Sequence, residues 1–183
     1  MASDRAGEIG WFSPEERGIL LLENLRVSRS LAKVIRDGLY TVTIDHAFAD
    51  VIGMCAGTRD ETWISAEIEE SYVSLHELGF AHSIEAWYED RLVGGLYGVA
   101  INGAFFGESM FHTMTDASKV SLVHLVEHLR HRGMTLIDTQ YITPHLESLG
   151  ATSISRDAYH LLLHDALLLP ATFFADSPAL LIG

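Results

Sequence analysis

Cysteine is nearly missing from this chain. Cys55 is the only one in 183 residues, so no intrachain disulfide can form. It sits in an apolar helical stretch, where a buried thiol is the expectation rather than a nucleophile. Proline is also scarce, at 4 residues, and with 48% hydrophobic content this argues for a compact globule rather than a disordered tail. No apolar run reaches the ~20 residues that a membrane-spanning helix needs. No charged-then-apolar leader opens the chain, and a cytoplasmic location is the expectation. Positive charge is the third shortage. Twelve Lys and Arg face 25 Asp and Glu, for a formal net charge of −13, an awkward balance for a protein that holds RNA. The cations are unevenly spread, however. Arg5, Arg17, Arg26, Arg29, Lys33 and Arg36 all fall within the first 36 residues. Arg26, Arg29, Lys33 and Arg36 are spaced to form one stripe on a helix. An acidic body would meanwhile suit a cationic partner.

Periodicity and punctuation divide the chain into elements. Trp11 to Leu22 reads as an extended segment with Pro14 at a turn. Ser28 caps a helix that ends near Gly38. Leu39 to Ile44 alternates as a strand, and Asp45 caps a helix ending at Gly57. The next helix, Ala66 to Leu78, carries Ile68, Tyr72, Leu75 and Leu78 on its apolar side. Strands Ala81–Tyr88 and Arg91–Ile101 follow, joined at Glu89-Asp90, and Asn102-Gly103 is a strong hairpin signal leading into a third strand. A helix from Ala117 to Arg132, a strand from Met134 to Gln140, a short helical piece, a strand near Thr152–Ser155 and a helix from Arg156 to about Leu168 complete the order. An antiparallel meander followed by strand, helix, strand, helix predicts an α/β fold like that of the acyl-CoA N-acyltransferases (GNAT-like). The expected organisation is an N-terminal appendage over 1–38, a catalytic domain over 39–168 and a tail over 169–183.

Polar groups interrupt strands that otherwise look like core. Glu108 lies beside Phe106 and Met110, and Asp138 and Gln140 alternate at the end of their strand, where α/β sites commonly lie. Burying a carboxylate costs several kcal/mol unless it is paired, so such residues serve structure or chemistry. His124, Glu127 and His128 match an H-x-x-E-H zinc-peptidase pattern, but the same helix turns Val120, Val123, Val126 and Leu129 to the core. The histidines then read as a solvated stripe, and no metal is expected. Gly107-Glu108-Ser109-Met110 lacks the second glycine of a nucleophile elbow. The segment His112 to Asp116, before the main helix, has no glycine and carries an acid, so a coenzyme A pyrophosphate would be poorly held there.

Trp11-Phe12-Ser13-Pro14, Ser28-Arg29-Ser30-Leu31, Thr62-Trp63-Ile64, Leu75-His76-Glu77-Leu78-Gly79, Ala81-His82-Ser83-Ile84-Glu85, Gly107-Glu108-Ser109-Met110-Phe111, Ala117-Ser118-Lys119, Ile137-Asp138-Thr139-Gln140 and Ser148-Leu149-Gly150-Ala151 occur in this order. Together they closely resemble bacterial leucyl/phenylalanyl-tRNA-protein transferases over nearly the whole chain. The resemblance implies an enzyme that moves Leu or Phe from aminoacyl-tRNA to the N-terminal amine of proteins beginning with Arg or Lys, marking them for degradation by the N-end rule. It implies that Asp138 and Gln140 are catalytic, that Glu108 reads the acceptor, that Leu96 and Phe105 line the amino-acid pocket, and that Trp63 lies near the terminal adenosine. Trp11 is a candidate stacking platform for a base, and the basic stripe a candidate tRNA contact. Neither cofactor nor membrane is implied. An acetyl-CoA-dependent N-acetyltransferase, or a catalytically silent remnant that binds degron peptides or tRNA, is the alternative. In a regular strand Phe105 and Glu108 point to opposite faces, so either Gly107 sits at a bulge or the two serve different subsites. The Gln140 carbonyl is expected to accept a hydrogen bond from the attacking amine, with Asp138 orienting the amide from the same strand face.

Overall fold

The computed structural model describes residues 13–57 and 62–179. Trp11 lies outside them. The elements run β1 (Glu16–Leu21), a 3-10 turn (Leu22–Asn24), α1 (Arg29–Arg36), β2 (Thr41–Ile44), α2 (Phe48–Gly57), α3 (Ala66–Glu77), β3 (Ala81–Tyr88), β4 (Arg91–Ile101), β5 (Ala104–His112), α4 (Ala117–His131), β6 (Leu136–Gln140), α5 (Pro144–Ser148), β7 (Thr152–Ser155) and α6 (Arg156–Leu167). The seven strands form one mixed sheet in the order β2-β3-β4-β5-β6-β1-β7. Hydroxyl caps start four of the helices: Ser28, Ser65, Thr143 and Ser155 each accept a hydrogen bond from the backbone three residues on, which satisfies an otherwise orphaned amide. The tight turns fall where the sequence predicts them, with Glu89, Asp90 and Asn102 at positive φ.

Strand alternation sorts the core onto two faces. Leu20, Ile84, Leu96, Phe105 and Ile137 face α4, α1 and the C-terminal tail. Their neighbours face the opposite way, Tyr97 towards α2 and α3 and Ile19, Ala104 and Leu136 towards α6. The parallel pair β5–β6 is joined through α4, and it is short. It runs only from Ala104↔Leu136 to Phe106↔Asp138, and β5 continues from Gly107 to His112 while still pairing with β4 on its other side. The two strands therefore part at residue 107, opening a cleft in the middle of the sheet.

Several expectations change. Within the stretch expected to be an appendage, β1 lies inside the sheet, antiparallel to both β6 and β7. Asp45 does not cap α2, which begins at Phe48. Its carboxylate instead accepts hydrogen bonds from the Ser83 amide and His82 Nδ1, both at 2.7 Å. Leu78, expected on the apolar side of α3, is its C-cap residue and is 65% exposed. The α4 histidines are not all solvated. His128 Nε2 meets the Phe173 carbonyl at 2.8 Å, and Phe173, 2% exposed, stacks on His82 at 3.8 Å between centroids. The tail thus packs on the body.

Candidate active site

The cleft between β5 and β6 holds a cavity of about 520 Å³. Its apolar end is built by Leu96, Phe105, Met110, Leu122, Leu125 and Ile137, and its polar end includes Glu108, Ser109, Thr139, Gln140 and Tyr141. Phe105 reaches it because β4 gives way. A side chain at Gly98 would overlap the Phe106 carbonyl and meet the Phe105 ring, so the bare backbone there makes room for the phenyl group. The parity conflict is resolved by a bulge at the same level: Gly98 pairs with Gly107 and Tyr97 with Ser109. Glu108 is left opposite no residue of β4, and both it and Phe105 line the cavity.

Glu108 is the electrostatic oddity of the site. Burial pushes its carboxyl group above the ordinary value, against hydrogen bonds from Gln140 and Tyr72 that favour the charged form. Gln140 Nε2 donates to Glu108 Oε2 at 3.0 Å and to the Gly107 carbonyl at 3.4 Å. The Gln140 side-chain carbonyl has no partner among the described residues and is left for the cavity. Tyr72, on α3, has its hydroxyl held protonated by burial and by the neighbouring Glu108.

Asp138 and Gln140 do not share a face. Asp138 is fully buried on the α6 side, outside the cavity lining. It receives a forked contact from Arg17, with Nε at 2.9 Å from Oδ1 and Nη2 at 2.8 Å from Oδ2, and a hydrogen bond from the Tyr159 hydroxyl at 2.6 Å. Its Oδ1 also accepts the Gln140 backbone N–H at 2.8 Å. Gln140 has φ of +63°, a conformation costing about 1–2 kcal/mol outside glycine. That turn breaks the alternation and brings the Gln140 side chain to the cavity. Asp138 thus acts on the Gln140 backbone, not on its amide group as the sequence suggests.

A family profile described as leucyl/phenylalanyl-tRNA protein transferase matches residues 19–164. The chain belongs to the leucyl/phenylalanyl-tRNA protein transferase family. The leucyl/phenylalanyl-tRNA--protein transferase of Rhodospirillum rubrum is 51% identical over 177 residues, covering 95% of this chain and 83% of the relative. That of Afipia carboxidovorans is 54% identical over 168 residues, covering 90% and 74%. A crystal structure of a functionally unknown conserved protein from Staphylococcus epidermidis gives a TM-score of 0.52 at 9% identity, covering 76% of this chain and 57% of that one, a likeness of fold alone.

Membership in the transferase family makes this chain an enzyme, and the positions singled out from sequence fall into three groups. Leu96, Phe105, Glu108, Gln140 and the half-buried Trp63 meet around the cavity. Asp138 stands behind it. Arg29, Lys33 and Arg36 lie exposed along α1, whereas Arg26, also exposed, precedes the helix. Its amide is tied to the Leu149 carbonyl, so the expected stripe of four is three on the helix. Arg36 makes a long contact of 3.8 Å with its exposed neighbour Asp37. Sequence reasoning missed Arg17, Tyr72 and Tyr159. Tyr72 was legible only as an apolar position of α3, and nothing local links Arg17 or Tyr159 to Asp138. Among the described residues no cluster of three metal-ligating side chains occurs, and no described helix is long and apolar enough to cross a membrane.

Proposed function

We propose that this chain moves Leu or Phe from aminoacyl-tRNA to the N-terminal amine of proteins beginning with Arg or Lys, marking them for degradation, on an acyl-CoA N-acyltransferase-like domain. The observation that carries this reading is the union, in one cavity, of an apolar box with a half-buried carboxylate that forms no ion pair among the described residues. The box of Leu96, Phe105, Met110 and Ile137 suits a Leu or Phe side chain. At the other end Glu108 suits a guanidinium or ammonium, whose charge would favour the ionised carboxylate against the upward push of burial. Trp63 is a candidate contact for the terminal adenosine, and Trp11 for a base. Arg26, Arg29, Lys33 and Arg36 are candidate phosphate contacts.

Aminoacyl esters are already activated, so transfer requires no ATP. The acceptor nitrogen attacks the ester carbonyl carbon, the bond to the ribose oxygen breaks, and a proton passes from the amine to that oxygen. With a reference pKa of about 7.7–8.0, on the order of a tenth of the amine is neutral at pH 7. A strong base is therefore unnecessary, and a glutamine amide is not one. Orientation is the larger task, supplying up to ~7–11 kcal/mol in favourable cases. The unpartnered Gln140 carbonyl is suited to accept a hydrogen bond from the attacking nitrogen. The test is to offer a peptide beginning with Arg either radiolabelled leucyl-tRNA or acetyl-CoA. Label from leucyl-tRNA alone is expected. Transfer from acetyl-CoA would replace this reading with an acetyltransferase, and no transfer from either would leave a binding protein.

A further inference from the structure

Behind the cavity lies a network whose side chains are not part of its lining. Arg17 on β1 and Tyr159 on α6 converge on the two oxygens of Asp138, and the guanidinium carbon also lies 5.4 Å from the Tyr159 ring centroid. Neither residue lines the cavity. A charge held this way can be an ordinary structural tie between β1, β6 and α6. Two features argue for more. One is that Asp138 Oδ1 also holds the backbone N–H of Gln140, the residue whose positive φ sends its side chain into the cavity. The other lies on β1. Gly18 pairs with Gln140 and Ile19 with Asp138, so Thr139 is an extra residue in the β6 ladder. A side chain at Gly18 would meet the Tyr141 backbone at 2.7 Å and Thr139 Oγ1 at 2.8 Å. Two consecutive β1 residues therefore serve one bend in β6: Arg17 grips it and Gly18 leaves room for it.

We propose that Arg17 and Tyr159 are positioning residues for aminoacyl transfer: together they fix Asp138, whose Oδ1 locks Gln140 in its left-handed conformation and so aims the Gln140 amide at the reacting amine. This rests on the reading that Gln140 faces that amine. The network holds the local backbone before any substrate arrives, so its loss costs rate rather than affinity. A misplacement of about 1 Å at a reacting group costs on the order of 100-fold.

The experiment measures single-turnover transfer from leucyl-tRNA to an Arg-initiated peptide for Arg17→Met, Arg17→Lys and Tyr159→Phe, each alone and in a Gln140→Ala background. Tyr159→Phe keeps the ring and removes only the hydroxyl, so it reports even if Arg17→Met does not fold. Rates are expected to fall on the order of 10- to 100-fold, with tRNA affinity and acceptor KM unchanged, Arg17→Lys retaining part of the rate, and no further fall once Gln140 is Ala. Equal losses in both backgrounds, losses confined to KM or tRNA affinity, or an unaltered rate in Tyr159→Phe would overturn the proposal. Hydrogen exchange at the Gln140 amide supplies an arm independent of transfer. It should accelerate in Tyr159→Phe while amides elsewhere in β6 keep their protection, and unchanged exchange would sink the proposal. A wild-type chain that transfers nothing, with the selective acceleration still seen in Tyr159→Phe, would instead count against the functional reading alone.

Discussion

Replacing Glu108 by Gln separates what the carboxylate does for the fold from what it does for the acceptor. The substitution keeps the volume, and its carbonyl can still accept the hydrogen bond that Gln140 Nε2 now gives to Oε2 at 3.0 Å. The charge is removed and one acceptor oxygen becomes a donor, which the Tyr72 hydroxyl, now a donor to Glu108, can accept by turning. Burial holds the Glu108 carboxyl group above its ordinary value of 4.5, so between that value and the folded one the native state binds more protons than the unfolded chain. Stability contributed by this group is present at low pH and is lost as pH rises through the raised folded value. Glu108→Gln should therefore have a higher Tm than wild type at pH 8 and the same Tm at pH 4, read from melts at both. For the acceptor the sign reverses. Removing one partner of a buried ion pair typically costs ~3–5 kcal/mol, which is roughly 150- to 5,000-fold in kcat/KM at 1.36 kcal/mol per decade. The loss should appear with a peptide beginning with Arg and be small with one beginning with Ala, while leucyl-tRNA binds as before. An equal loss on both peptides, together with a lower Tm at pH 8, would show that Glu108 is a structural group and refute the reasoning.

Reversing the charge of Arg29 and Lys33, which are exposed on α1, should flatten the slope of log affinity for tRNA against log salt by about 2 units, at roughly 0.9 per phosphate contact. An unchanged slope would reduce the stripe to a solvated face. Truncating the tail aromatic in Phe173→Ala should cost about 3–5 kcal/mol in urea unfolding, because Phe173 is 2% exposed and stacks on His82 at 3.8 Å. A loss below about 1 kcal/mol would mean that the tail is only loosely held.

Local chemistry made the elements legible. Hydroxyl caps, the Glu89-Asp90 and Asn102-Gly103 turns and the alternation of the meander depend on neighbours within a few residues, and the strands β3 and β4 fall where the sequence puts them. What failed depended on distant partners. Pairing β1 between β6 and β7 is a choice among sheet edges that no residue near Glu16 announces. Asp45 has the composition of a helix cap, but a buried imidazole and the Ser83 amide on β3 compete for its carboxylate and win. For the site, residue types were readable and directions were not. Glu108 was a visible anomaly among Phe and Met, and the parity conflict with Phe105 pointed to the bulge. The turn at Gln140 gave no such warning, because the spacing of Asp138 and Gln140 satisfies a regular strand as well as it satisfies an irregular one.

Three departures from regular pairing coincide at one level of the sheet. The β5–β6 ladder ends at Phe106↔Asp138, the β4–β5 register slips so that Glu108 is unpaired, and the β1–β6 register slips at Thr139. Each frees a backbone from alternation where a polar side chain would otherwise have been committed to one face of a packed sheet, at the cost of burying it. Two of the slips occur beside glycines, Gly98 and Gly18, where any side chain would run into the neighbouring strand. Polar residues alone could not have made this cavity, since in an unbroken ladder Glu108 and Gln140 would follow strand parity. The position of the site is therefore written as much in where the side chains are missing as in the carboxylate and amide that face the cleft, and β1, with its Arg17-Gly18 pair, is part of the site's construction although it contributes nothing to the cavity's surface.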